Sequence, residues 1–200
     1  MKFVFHPAMH VAEEKYGDAV LTRLPMRTIK TGPLPSHGEP RGAIWCEIQH
    51  DGRKLNVFTT HLGVRRGERL RQLETLLGDE WLGHADCRDR DLILMGDFNS
   101  IPSSPVFAQL ARALVVAHPP GQRFAAPTFP SRMPWLRLDH VFHSSDLRST
   151  RVEVDRSKLA RVGIGECDDL LALLGDRHAG HDGVVLAHRE CWNDPIPGLG

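Results

Sequence analysis

The sequence predicts a layered fold of mixed strands and helices, α/β or α+β, and three observations predict it. Residues 41–60 hold two alternating segments on either side of Asp51-Gly52, a strong hairpin signal. Leu92-Ile93-Leu94-Met95 is wholly apolar, as a strand covered on both faces requires. Between them, Glu68–Trp81 places Leu70, Leu73, Leu77 and Trp81 three or four residues apart, the stripe of an amphipathic helix. The 200 residues are enough for one domain, 1–200, with a substantial core.

The elements follow in order. Thr31–Pro40 (TGPLPSHGEP) is expected to be a loop, from its Pro, Gly and Ser content. In Arg41–His50, Ile44, Cys46 and Ile48 share one face. Lys54–Thr60 runs back, with Leu55, Val57 and Thr59 on one face and Asn56, Phe58 and Thr60 on the other. After Met95 a Pro/Ser turn leads to a second helix, with Ser103 as its expected N-cap and Pro105 in the first turn, ending near Leu114. Leu138–Phe142 and Arg151–Val154 read as further strands. Leu159–Leu174 is expected to contain a helix from Glu166 onward, and Gly183–Ala187 a last buried strand.

Composition narrows the function. The chain is 41% hydrophobic and 25% charged with zero formal net charge, ordinary for a globular protein and without a global field for nucleic acid. The 12 histidines are scattered. Cys46, Cys87, Cys167 and Cys191 form no Cys-x-x-Cys pair, so a structural zinc site has little support and four free thiols are expected. Residues 1–10 carry Lys2, His6 and Pro7 in place of a signal sequence, and no run approaches a membrane span, so a cytoplasmic setting is the expectation.

Chemistry gathers at strand ends. One strand ends in Thr60-His61, one in Gly96-Asp97-Phe98-Asn99, and one carries Asp139-His140; His181-Asp182 precede another. Each has a plain structural alternative. His61 could cap its hairpin strand. Asp97 and Asn99 could hydrogen-bond their own turn. Asp139 could pair with Arg137 or Arg132, and His181 could be a surface histidine.

Taken together and in order, THLG (60–63), ER-x-x-Q (68–72), GDFN (96–99), LDHVF (138–142) and His-x-x-Val-Val from His181 resemble the endonuclease/exonuclease/phosphatase superfamily. YGDAVLTRLP (16–25) and EPRG (39–42) are similar to it too. The resemblance implies a four-layer sandwich of two mixed sheets with helices outside. It implies metal-dependent hydrolysis of a phosphate ester by in-line attack of water. It places Asp97 beside the nucleophile or a metal, Asn99 on a phosphate oxygen, and Mg²⁺ or Mn²⁺ on Asp97 and Asn99. It makes Asp139 the carboxylate that orients His181, and His61 a stabiliser of the non-bridging oxygens. On a regular strand Asp97 and Asn99, two apart, would share a face.

Two departures from the family pattern both fall on metal ligands. The opening strand, helix and strand that carry a metal-binding Glu have no counterpart, and Glu13, Glu14 and Glu47 do not match that motif. Gly180 stands where the pattern has Asp, with Asp182 and Asp176 as possible substitutes. Lacking the opening strands, this chain is expected to be marginally stable or to self-associate through an exposed sheet edge. A truncated domain that binds phosphorylated ligands or partners without turnover is therefore the alternative. A nucleic-acid module built on Arg65, Arg66, Arg69 and Arg71 is a third, disfavoured because that helix already commits a stripe to the core.

Overall fold

The computed structural model describes residues 2–11, 14–50, 52–88, 90–118, 126–130, 133–154, 170–176, 184–188 and 191–192. Its strands are β1 (Lys2–Val11), β2 (Glu14–Thr22), β3 (Met26–Leu34), β4 (Arg41–His50), β5 (Arg53–His61), β6 (Asp91–Asp97), β7 (Val115–Val116), β8 (Asp139–His143), β9 (Leu147–Val154), β10 (Leu170–Asp176), β11 (Val184–His188) and β12 (Cys191–Trp192). Helix α1 is Arg66–Leu77 and α2 is Pro105–Ala113.

Among the described residues these strands form two sheets. One runs β3-β4-β5-β6-β8-β7, and the other runs β1-β2-β11-β10-β9 with β12 also on β2. The first is mixed: β5 and β6 are parallel, and the other pairs are antiparallel. The hairpin forms as its sequence dictates. His50 pairs with Arg53, and Gly52 takes φ 77, a conformation glycine adopts without cost.

Alternation along β4–β6 sorts two cores. Ile44, Cys46, Ile48, Val57, Ile93 and Met95 meet Val20, Leu147 and Val152 between the sheets. Trp45, Phe58, Leu94 and Phe142 face the other way and meet Leu73 and Leu76 of α1 and Val106 and Leu110 of α2. Trp81 also packs there, but from the turn after α1 rather than from the helix. Each fully buried side chain of this size contributes roughly 1.5–3 kcal/mol. The layers described are thus sheet, sheet and helices, the α/β fold expected.

Three local expectations are corrected. The α2 cap is Ser104, not Ser103: its Oγ accepts from the Phe107 N–H at 3.2 Å, with Pro105 at the start of the helix. Residues 31–34 belong to β3, not to a loop; Pro33 is tolerated because β3 is the outermost strand of its sheet. Residues 170–174, expected to be helical, lie in β10 between β9 and β11. Five consecutive apolar residues carry no period that separates helix from strand. Residues 155–169 lie outside the described residues.

Candidate functional site

Register brings three of the strand-end residues into one row. His61 pairs with Asp97 across β5 and β6, and Asp97 pairs with Asp139 across β6 and β8. Two residues back, Thr59, Met95 and Val141 form the same row, and Met95 and Val141 point into the core between the sheets. His61, Asp97 and Asp139 therefore stand at the mouth of the inter-sheet layer. Asp97 is 8% exposed and Asp139 2%. His140, one residue on, faces the helices among Phe98, Phe107 and Phe142, and burial holds its pKa down to about 3.

Gly96 makes the row possible. Its φ is 136, and a Cβ there would stand 1.9 Å from the Thr60 carbonyl oxygen, so the backbones of β5 and β6 close up one residue before His61 and Asp97. The chain then turns sharply at Asn99, with φ 45.

Asp97 divides its two oxygens. Oδ1 accepts from the Asn99 N–H at 2.6 Å, the local turn bond open to any Asp-x-Asn. Oδ2 lies 3.5 Å from His61 Nε2. The turn bond expected of Asp97 is thus present on Oδ1, and Oδ2 faces His61. Asn99 does not share a face with Asp97 through strand alternation, as a regular strand would require. β6 ends at Asp97, Phe98 is buried in the helix-side core, and the left-handed turn swings the Asn99 amide back over β5. There Nδ2 donates to the Leu62 carbonyl at 2.8 Å and lies 3.0 Å from His61 Nε2.

Residues around the row hold it in place. Arg41 Nη1 sits 2.8 Å from His61 Nδ1, and its Nη2 donates to Glu39 Oε2 at 2.9 Å. Gln72 spans two loops: its Oε1 accepts from the Gly63 N–H at 2.7 Å, and its Nε2 donates to the Pro35 carbonyl at 3.0 Å. Glu68 accepts from the His37 N–H at 2.9 Å, and a Cβ on Gly63 would come within 2.6 Å of its carboxylate. Arg69 donates to the carbonyls of Gly63 and Val64. Burial lowers the Arg69 pKa, and the negative charge of Asp97 opposes that shift. Arg69 thus serves the loop after His61 rather than an open basic face. Thr128 Oγ1 accepts from the Leu138 and Asp139 N–H groups at 3.1 and 3.3 Å, fixing the start of β8. Burial pushes Arg137 down to about 10, again opposed by the nearby Asp139.

The structure gathers His61, Asp97 and Asn99 by contact and Asp139 by register. His181, Gly180 and Asp182 lie outside the described residues. Glu47 is mid-strand opposite Asn56, paired with Lys54 at 3.2 Å and Arg27 at 3.6 Å, away from the strand ends that carry the row. Sequence reasoning missed Arg41, Glu39, Glu68 and Gln72 as individuals. Their signal was their place in EPRG and ER-x-x-Q, segments noted only as wholes.

A hard divalent cation takes about six oxygen ligands. Among the described residues no group of three or more His, Cys, Asp or Glu could hold a metal ion. Asp97 spends one oxygen on its turn, and Asn99 turns its nitrogen, not its oxygen, toward His61 and the Leu62 carbonyl. The described residues alone do not fit a Mg²⁺ or Mn²⁺ centre. Cys46 and Cys87 are free and buried, with burial pushing their thiols up to about 12 and 11, so neither is a ready nucleophile. No described helix is long and apolar enough to cross a membrane.

Comparison with known proteins bears on the family and the fold. The model of the Endonuclease/Exonuclease/phosphatase family matches residues 3–177. The Uncharacterized protein YbhP of Escherichia coli (strain K12) is 31% identical over 137 residues, 65% of this chain and 52% of that protein. The chain thus spans about half the length of the curated relatives it matches. The human Nocturnin catalytic domain with bound sulfate anion superposes with a TM-score of 0.57 at 16% identity, covering 96% of this chain and 72% of that one. D. rerio TDP2 complexed with single strand DNA product gives a TM-score of 0.57 at 15% identity, over 93% and 76%. At such identities the two structures speak for the fold alone.

Proposed function

Because the chain belongs to the endonuclease/exonuclease/phosphatase family, whose members are phosphoesterases, nucleases and phosphatases, we propose that it hydrolyses a phosphate ester at the His61–Asp97–Asn99 row. One observation carries the proposal: an imidazole, a carboxylate and a carboxamide converge within 3.5 Å at aligned strand ends, with Asp139 in register beside them.

Each group has a task suited to its chemistry. The Asn99 amide and His61 present donors to the phosphoryl oxygens, where negative charge grows in the transition state. Asp97 Oδ2 accepts a hydrogen bond from the attacking water and draws its lone pair toward phosphorus. Water oxygen forms the new P–O bond as the ester P–O bond opposite it breaks. The proton leaves to a base, for which His181 oriented by Asp139 is the candidate. Asp97 and Asp139 are buried while His61 and Asn99 are partly exposed, so a phosphoryl group can reach the row and the buried side strengthens its bonds to Asp97.

Family enzymes generally use divalent metals, and Mg²⁺ or Mn²⁺ is the cation proposed here. The incomplete ligand set among the described residues favours a second reading, in which the row binds a phosphorylated ligand without turnover. Assay of a generic phosphodiester with Mn²⁺, Mg²⁺ or chelator separates the two. Turnover that chelator abolishes is expected of the enzyme; inorganic phosphate binding without turnover is expected of the binder.

The substrate is proposed only as a phosphate ester, small-molecule, lipid or nucleic acid. The donors that converge on the row address a phosphoryl group common to all three.

A further inference from the structure

The far side of the His61 ring carries a contact the chemistry above does not use. Arg41 Nη1 lies 2.8 Å from Nδ1. A guanidinium has five donors, no acceptor and a permanent charge. To accept from it, Nδ1 must keep its lone pair, and the hydrogen of the ring then sits on Nε2.

We infer that Arg41 is a positioning residue that fixes His61 as the Nε2–H tautomer, making Nε2–H and the Asn99 amide a paired donor site for one phosphoryl oxygen. The second half rests on the phosphate-ester reading above.

The Asn99 orientation follows from its other bond. Nδ2 donates to the Leu62 carbonyl at 2.8 Å; turned over, Oδ1 would face that carbonyl, oxygen against oxygen. Nδ2 therefore brings its second hydrogen beside Nε2, 3.0 Å away. Two N–H groups side by side cannot accept from each other, and Asp97 Oδ2, 3.5 Å from Nε2, favours the same Nε2–H tautomer as Arg41 does. An anionic oxygen between them accepts from both. The opposite tautomer would place Nδ1–H against Arg41 and leave the Asn99 amide pointing at a lone pair, closing the pair upon itself.

Arg41 is held to serve this role. Its side chain is 7% exposed, and Glu39 Oε2 accepts from Nη2 at 2.9 Å. Its backbone N–H donates to Ser36 Oγ at 3.1 Å, and the Ser36 hydroxyl in turn donates to the Leu34 carbonyl at 2.9 Å. Arg41 begins β4, beside β5, so the guanidinium reaches the ring along the sheet rather than from a loose loop.

The test is nitrogen NMR of histidine-labelled protein at about pH 8, where an ordinary imidazole is neutral. The expected His61 spectrum has protonated Nε2 and unprotonated Nδ1 in the wild type. Arg41→Met is expected to give a mixture of both tautomers, and Arg41→Lys, which keeps a donor, to restore the Nε2–H form. A wild-type ring protonated at Nδ1, or an Arg41→Met ring unchanged in a folded variant, would overturn the assignment. Inorganic phosphate is the probe for the donor pair: the Nε2–H and Asn99 amide resonances are expected to shift together, and failure of both to shift refutes that half. In hydrolysis, Arg41→Met is expected to lower kcat about a hundredfold with KM little changed. Absence of hydrolysis in wild type with the Nε2–H spectrum intact defeats the enzymatic reading and leaves the tautomer assignment standing.

Discussion

The two sheets differ in the direction of their strands. In the site-bearing sheet, β5 and β6 stay in register from Leu55–Asp91 through His61–Asp97, and β6 and β8 from Ile93–His143 through Asp97–Asp139. In the facing sheet every described pairing is antiparallel, whereas β5 and β6 run parallel. The difference teaches how two strand ends reach one edge: only a parallel pair puts the ends His61 and Asp97 side by side. The His61–Asp97–Asp139 row hangs on the site-bearing sheet, and the helices α1 and α2 are packed behind that same sheet. The facing sheet supplies the lid of the inter-sheet core through Val20, Leu147 and Val152.

Two glycines sharpen the comparison with the largest expected effects. Gly96→Ala drives a Cβ to 1.9 Å from the Thr60 carbonyl at φ 136. It is expected to cost at least about 3 kcal/mol and to abolish phosphate binding, because it separates β5 from β6 beneath His61 and Asp97. Gly17→Ala meets an equal collision in the facing sheet, 2.0 Å from the His6 carbonyl oxygen. It is expected to destabilise the β1–β2 hairpin while leaving phosphate affinity within a few fold in the folded fraction. Chemical unfolding and phosphate titration of both variants check this; equal loss of binding would break the comparison.

Acid is expected to act next. His140, behind the site row, stays neutral in the folded state down to about pH 3 because it is buried, whereas in the unfolded chain it takes a proton near 6.5. Its contribution is therefore complete above pH 6.5 and is lost as pH falls toward 3, at about 1.4 kcal/mol per unit. Unfolding free energies at two pH values within that window, for wild type and His140→Asn, are expected to show a shallower slope in the variant.

The smallest effect lies at the α2 cap. Ser104→Ala removes the bond to the Phe107 N–H and is expected to cost about 1 kcal/mol, with Ser103→Ala near neutral. A larger cost for Ser103→Ala would return the cap to its sequence-expected place.

The legibility of the sequence followed the same division. Around the site, periodicity and turn chemistry are strong and local: Asp51-Gly52 dictates its hairpin, and the run before Gly96 dictates β6. β1, β2 and β10 carried no comparable signal. Their strand state depends on partners distant in sequence, as Leu170–Leu174 on β9 and β11. At the site, His61, Asp97, Asn99 and Asp139 were legible because strand ends and motif order mark them. The Asn99 turn was not, because a positive φ at a non-glycine residue overrides strand alternation. Arg41 was not, because its role depends on which ring nitrogen it faces, and only the packed sheet decides that.

The central claim is that the His61–Asp97–Asn99 row handles phosphate esters. The most direct measurement is turnover of a generic phosphodiester with Mn²⁺ by the purified chain beside Asp97→Ala. A loss of about 10²–10⁴-fold in a variant that folds is the expected result. Undiminished turnover in Asp97→Ala would place the chemistry elsewhere in the molecule and contradict the claim.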